Sequence, residues 1–305
     1  LILAVAPEAR LVLLGDRHQL SSVEAGSIFG DLVEAGTCYY PLQNRTIDLR
    51  KNFRFPEDSL LHRLCQSVKL GEADRAAQLI ETENSEVHFM PLPPPQGLKQ
   101  ELGNTLLAHY AQLHLERDPG AALDLLGKRC LLSPIRKGPY GVEELNRTME
   151  SLLALRHPSM WEGRHYHGKP ILITENSYDL NLFNGEIGVF LSSPNQPDQL
   201  RAWFYGDLPG EVRKYPISAL PAFETAYALT VHKSQGSEYQ KVYLILPPGK
   251  VSVLTRELLY TALSRSRKTV HIWANLPIFK FAIRRPTQRS SGIVDRLSAL
   301  GLADG

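Results

Sequence analysis

No stretch of this chain comes near eighteen uninterrupted apolar residues, which removes a membrane-spanning helix from consideration. Cysteine is scarce. Cys38, Cys65 and Cys130 are widely spaced and form no CxxC pair, which excludes a disulfide framework or a zinc knuckle and fits a reducing cytoplasm. The opening LILAVAPEAR has no basic flank and is broken by Pro7 and Glu8, so it does not read as a signal peptide. Internal repeats and low-complexity tracts are missing too. The last absence is chemical. A phosphate-binding loop needs GxxxxGK followed by Ser or Thr, so that backbone amides cradle phosphate and the hydroxyl meets magnesium. The Gly-Lys pairs at 127, 168 and 249 are followed by Arg129, Pro170 and Val251, and none qualifies.

What is present is ordinary in bulk. The 305 residues suffice for about two domains, with 43% apolar and 22% charged content. The net charge of +2 conceals an asymmetry: from Ala222 onward twelve Lys/Arg face five Asp/Glu, leaving residues 1–221 net acidic. A basic C-terminal third suits phosphates, although solvated surface lysines produce the same bias. The chain starts with leucine rather than methionine and reads as a piece of a longer protein.

Periodicity predicts an α/β fold. LVLL (11–14) reads as a short buried strand that delivers GDRHQL at its carboxyl end, and Ser27–Ala35 as a helix stopped by Gly36. Leucines 60, 61 and 64 with Val68 mark a helix ending near Gly71, with another helix over Glu72–Glu81. PLPPPQG (91–97) reads as a surface connection, Leu98–Leu115 as a helix, CLLSPIR (130–136) as a strand and Val142–Leu155 as a helix. Between about Arg164 and Pro221 short apolar runs alternate with turn residues. PILIT, EIGVFL, LRAWFY and EVRKY predict strands of a small inserted β-barrel, with Asn184-Gly185 as a hairpin turn. The α/β pattern resumes at Phe223 with strands YALTV, KVYLIL and TVHIWA around a helix near Leu258–Ser264.

The chemistry concentrates in ALTVHKSQGSEY (228–239), an apolar run that ends abruptly in polar and cationic groups, where open α/β sheets bind ligands. ELLYTALSRSRK (257–268) follows, ending a helix in cations. Nucleotide hydrolysis by a motor needs positive charge on the γ-phosphate, and an arginine's planar, permanently charged fork meets that need. Arg54 in NFRF and Arg265 in TALSR are placed for it, although an isolated arginine more commonly pairs with a carboxylate.

GDRHQLSSVEAG, NFRF, ALTVHKSQGSEY and LYTALSRSRK, in this order, resemble motifs III to VI of superfamily 1 helicases, most closely the RecD-like branch, over about residues 11–285. LSPIRKGPYGVEELN and LFNGEIGVFL resemble that branch as well. The resemblance implies a RecA-like P-loop NTPase-type parallel sheet (helicase domain 2A, residues 49–163 and 222–305). It also implies an SH3-like 2B insertion (164–221) and a remnant of domain 1A (1–48). Gln19 would sense the γ-phosphate with Asp16 supporting its loop, and Arg54 and Arg265 would be the catalytic γ-phosphate arginines. Gln235, Gly236 and Glu238 would lie at the nucleotide, with Thr230, His232 and Lys233 on the DNA backbone. ATP and Mg2+ would be the cofactors, single-stranded DNA the track, RecB and RecC the partner subunits and the cytoplasm the location. Movement would be 5′ to 3′.

Several of these residues have plainer readings. Asp16 could be a magnesium carboxylate, but no DE pair follows it. His232 could be a core histidine. His157, His165 and His167 invite a metal, yet no carboxylate or cysteine completes a site. Trp203, Phe204 and Tyr205 could stack on bases, though alternation favours the core, and Arg284, Arg285 and Arg289 could bind phosphate or form a solvated tail. Without a phosphate cradle the chain by itself is expected to have no ATPase activity. A non-catalytic DNA-binding or assembly module and a stand-alone RecD-like helicase are the alternative readings.

Overall fold

The computed structural model describes residues 4–6, 8–20, 28–38, 45–49, 56, 58–82, 84–156, 165–193 and 196–287. The chain divides into two compact units, residues 1–51 with 287–305 and residues 52–286. In the first, helix α1 spans Ile28–Cys38 and runs through Gly36 instead of stopping there. The expected strand at 11–14 does not form. Leu11, Val12, Leu13 and Leu14 lie outside any helix or strand, 45–83% exposed. A parallel strand is stable only when neighbours satisfy its backbone and cover its side chains, and no strand pairs with this run among the described residues. Ile47 and Leu49 are exposed as well.

The second unit opens with helices α2 (Leu60–Leu70) and α3 (Ala73–Glu81). Ser59 caps α2 by accepting from the His62 amide, and Gly71 ends it at φ 77°. A Cβ at Gly71 would also displace the Arg256 guanidinium, a flexible side-chain end that can give way, so the backbone conformation is what demands glycine. Strand β1 (Val87–Met90) follows, then α4 (Pro95–Thr105) and α5 (Leu107–Leu113). The single helix expected over 98–115 is thus two, broken at Leu106, and the first begins inside the proline run because Pro95 fits a helix's first turn. Next come α6 (Pro119–Lys128, capped by Asp118), β2 (Arg129–Ser133) and α7 (Val142–Arg156).

Strands β3 (Lys169–Ile173), β4 (Ile187–Ser193), β5 (Gln196–Tyr205), β6 (Val212–Pro216) and β7 (Phe223–Thr225) form an antiparallel sheet, ordered β6-β5-β4-β3-β7. This is what the structure shows of the expected barrel. Its last strand extends to Thr225, past the expected boundary, because Phe223–Thr225 pairs with β3. Asn184-Gly185 is not a two-residue hairpin. It closes a long excursion between β3 and β4, Gly185 donating to Ile173 at φ 100°. Alternation decides which aromatics enter the core. Phe204 is buried in a small cluster with Phe190, Leu182 and Ile171, while Trp203 points oppositely onto the main core beside Val189 and Leu191. Tyr205 is exposed and bonds Asp124.

The chain then returns as β8 (Ala228–Thr230), β9 (Tyr239–Ile245), α8 (Arg256–Leu263), β10 (Ser266–Trp273) and α9 (Leu276–Arg284). The second sheet is wholly parallel, ordered β1-β10-β9-β2-β8. Leu131, Ala228, Tyr243, Ile245 and Trp273 join the core formed with α4 to α7. Leu132, Val242, Leu244, Val270 and Ile272 alternate with them and so face the opposite side. The passage from β7 to β8, between the sheets, is held by buried Asn146 of α7. Its Oδ1 accepts from the Ala228 amide at 2.8 Å, and its Nδ2 donates to the carbonyls of Thr225 at 3.0 Å and Ala228 at 3.1 Å.

This packing yields two expected outcomes. Replacing Asn146 with leucine removes three hydrogen bonds and strands buried backbone groups, a cost of about 3 kcal/mol readable as a lower urea midpoint. Burial holds the imidazoles of His109 and His271 down at about 4, helped by Arg129 beside both. The unfolded chain therefore takes up protons first. Stability present above pH 6.5 is lost as pH falls toward 4, by up to roughly 2 kcal/mol per histidine at pH 5 and less for half-buried His271. His271→Phe, which keeps the ring stacked on Tyr243, should shrink the fall in denaturation midpoint between pH 7 and pH 5.

Candidate nucleotide and nucleic-acid site

The ALTVHKSQGSEY segment leaves the edge strand β8 and enters the central strand β9, passing from the carboxyl ends of the strands to their amino ends. Register puts Thr230 beside Ser133 at the carboxyl end of β8, and Tyr239 beside Ser266 at the amino end of β9. Leu229 and Leu244 both pair with Leu132, so the two ends lie six strand residues apart, about 20 Å along the strands. The connection is a short series of successive turns. Val231 donates to the Ser133 carbonyl, Ser234 to that of Thr230 and Ser237 to that of Ser234. Gly236 ends the turn at φ 85°, where a Cβ would meet no obstacle, so backbone conformation alone selects glycine.

This crossover divides the expected site residues into two groups. At the carboxyl end the Thr230 hydroxyl is buried and accepts from the Lys233 amide at 3.3 Å. His232 is half-buried, and the Lys233 ammonium donates at 2.7 Å to the Asn184 side chain on the β3–β4 excursion. Nearby, Arg136 pairs with Glu224 at 2.9 Å and Glu143 at 3.8 Å. Past Gln235 and Gly236, at the amino end, Glu238 pairs with Arg267 at 2.7 Å. Register explains that pair, because Glu238 and Arg267 flank the partnered residues Tyr239 and Ser266. The sequence signal for Arg267 was only its place in the cationic SRSRK run.

Arg265 locks this edge. It is 3% exposed, and its Nε and Nη1 donate to the carbonyls of Thr261 (3.2 Å) and Ser237 (3.1 Å). Its own carbonyl accepts from the Tyr239 amide at 2.8 Å. A guanidinium this deeply desolvated persists only where acceptors surround it. The end of α8 and the end of the crossover thus form one rigid corner, with Glu238 and Arg267 on its rim.

In the other unit, Asp16 organises the GDRHQL turn. Its carboxylate accepts from the His18 amide and from the Gln19 side chain, each at 3.0 Å, so Gln19 is held by its neighbour. Arg54, His157 and Arg289 lie outside the described residues. His167 is a structural residue, with Nδ1 accepting from the Ser192 amide at 2.9 Å and Nε2 lying 2.7 Å from the Glu116 carbonyl. Burial, with Arg117 nearby, lowers its pKa. His165 packs edge-on against Phe190. Among the described residues no three His, Cys, Asp or Glu side chains come together as a metal site, and no helix is long and apolar enough to cross a membrane. Arg284 grips Asp74 through both carboxylate oxygens at 3.1–3.2 Å, which gives it a structural role too.

The UvrD-like helicase C-terminal domain family matches residues 225–273, the span of crossover, α8 and β10, and the AAA domain family matches residues 1–91. The RecBCD enzyme subunit RecD of Haemophilus influenzae is 33% identical over 96% of this chain and 51% of its own length. That of Mycolicibacterium smegmatis is 33% identical over 99% and 52%. The ATP-dependent RecD2 DNA helicase of Deinococcus radiodurans is 28% identical over 98% of the chain and 37% of its own length. The chain spans about half the length of the RecD subunits it matches. A solved Pif1 helicase from Bacteroides in complex with ADP-AlF3 and ssDNA is similar at 15% identity, covering 95% of this chain and 66% of that one, with a TM-score of 0.42. The sequence match runs through the parallel sheet, the crossover and the Arg265 corner alike, and the chain belongs to the RecD-like family of superfamily 1 DNA helicases.

Proposed function

We propose that these residues form the C-terminal motor portion of an ATP-dependent 5′–3′ DNA helicase, the RecD subunit of an exodeoxyribonuclease V acting with RecB and RecC in double-strand break repair and recombination. The observation that carries this reading is the crossover itself. It carries Thr230, His232 and Lys233 at the carboxyl ends of the strands, and Glu238 with the Arg265 corner about 20 Å away at their amino ends. A motor needs that separation, with a track and a fuel site joined by one continuous segment. The 33% identity to the RecD subunits of Haemophilus influenzae and Mycolicibacterium smegmatis, against 28% to the RecD2 helicase of Deinococcus radiodurans, supports the complex over a stand-alone enzyme.

In this reading residues 1–48 are the end of domain 1A, residues 49–163 and 222–305 form domain 2A, and the antiparallel insertion is the SH3-like 2B element. The residues present fit one rim of a bound ATP and not the whole of it. Arg265, with Arg54, stabilises charge developing on the γ-phosphate. Gln235, Gly236 and Glu238 line the nucleotide, Glu238 exchanging Arg267 for ribose hydroxyls, and Gln19, braced by Asp16, reads the γ-phosphate. Bound Mg2+ would neutralise phosphate charge, but no cradle or hydroxyl of this sequence is patterned to hold it.

In the full-length protein, Arg265→Ala should lower DNA-stimulated ATP turnover at least 10³-fold with little change in KM, and Arg265→Lys should not restore it. Normal turnover by a folded Arg265→Ala protein would remove the residue from the reaction. The present 305 residues alone should show no magnesium-dependent turnover above background, and activity abolished by Arg265→Ala would overturn that expectation. Lys233→Ala should weaken single-strand binding about equally across sequences and flatten log K against log salt by roughly 0.7. An unchanged slope would take Lys233 off the track.

A further inference from the structure

The excursion between β3 and β4, residues 174–186, carries two large aromatic side chains that neither core absorbs. Tyr178 is 79% exposed and Phe183 40% exposed, with ring centroids 6.1 Å apart at 77°. A long loop would ordinarily let such side chains wander, but this one is braced. Leu182 is fully buried in the small insertion core and Leu180 packs against it. Ser177 and Leu182 exchange backbone hydrogen bonds at 2.7 and 3.0 Å. The Tyr215 hydroxyl donates to the Leu180 carbonyl at 2.8 Å. The Phe183 amide donates to Glu186 and the Asn184 amide to the Asn176 side chain. Glu186 is itself held by Arg213 at 2.6 Å.

The leucines therefore anchor the loop, and the aromatics are displayed by it. The edge-to-face contact stands the Tyr178 ring against Phe183 and leaves a broad aromatic face to solvent. The residue after Phe183 is Asn184, whose side chain receives the Lys233 ammonium at 2.7 Å. A cation assigned to the DNA backbone is thus tied directly to the loop carrying the exposed rings. Glu175 and Asp179 stand exposed on the same loop and repel phosphate, so the surface beside the rings favours uncharged bases.

We propose that Tyr178 and Phe183 form a stacking platform for the bases of single-stranded DNA, continuing the track whose phosphates pass Lys233; the inference rests on the helicase reading above. Each aromatic π-face accepts any base, so the grip is tolerant of sequence, as a translocating motor requires.

The test is fluorescence anisotropy of the full-length protein with labelled oligothymidylate across a salt series. Tyr178→Ala and Phe183→Ala should each weaken binding roughly 5- to 30-fold without changing the salt slope, and Tyr178→Phe should stay within about twofold of wild type. On an abasic oligonucleotide of the same length the wild type should fall to the level of the double variant Tyr178→Ala with Phe183→Ala, which loses nothing further there. Equal losses on normal and abasic strands would overturn the platform, as would alanine variants with wild-type affinity. So would variants that bind DNA normally but lose self-association or a protein partner. A folded wild type that binds no single strand would sink the helicase reading, whereas normal binding untouched by the variants sinks the platform alone.

Discussion

The second unit depends on how Asn146 and Glu150, one turn apart on α7, hold the place where two unlike sheets meet. A chain leaving an antiparallel sheet for a parallel one must turn through the interior, and its backbone groups have no ladder there to satisfy them. Asn146 meets the amide and carbonyl of Ala228 and the carbonyl of Thr225. Glu150 accepts from the Tyr166 hydroxyl at 2.8 Å and pairs with Lys169, at the start of β3, at 2.9 Å. Tyr166 in turn contacts the Tyr227 hydroxyl, and Tyr110 donates to the Tyr227 carbonyl. Spacing of i and i+4 puts both polar residues on one helix face, so a single helix sets where β3 starts and where β8 resumes. The position of everything after β8 follows from that, including the crossover.

The crossover converts this placement into a division of labour. Its two ends lie at opposite ends of the parallel strands, and its middle is held by backbone hydrogen bonds within the turns. Arg265 fixes the far end by donating to Ser237 while accepting from Tyr239. The near end is fixed by Thr230 and by the tie from Lys233 to Asn184. The loop displaying Tyr178 and Phe183 is joined to the same segment through Asn184.

Much of this architecture is legible in the residues alone. Helices α2, α3 and α7 and most strands lie where periodicity and caps put them, because Ser59, Gly71 and the leucine spacing are local signals. Local signals fail where a partner decides the outcome. LVLL has strand composition but no paired neighbour among the described residues, so it stays irregular and exposed. Phe223–Thr225 reads as the start of the next domain, yet it completes the previous sheet because β3 offers an unpaired edge. Helix α6 escapes the periodicity reading although Asp118 and Pro119 mark its start. In the site, the linear motif locates every residue from Thr230 to Arg265 but is silent on their partners: Asn184 for Lys233, Arg267 for Glu238, Ser237 for Arg265.

The sequence by itself determined the fold class, the family and the absence of a patterned phosphate cradle, because these are written in residue type and short-range spacing. Only the tertiary structure decided that ALTVHKSQGSEY passes from the carboxyl ends of the parallel strands to their amino ends, that Arg265 is buried, and that Tyr178 and Phe183 are displayed while Leu180 and Leu182 are not. Those outcomes depend on strand register and on contacts between residues far apart in the chain, and no local pattern encodes them.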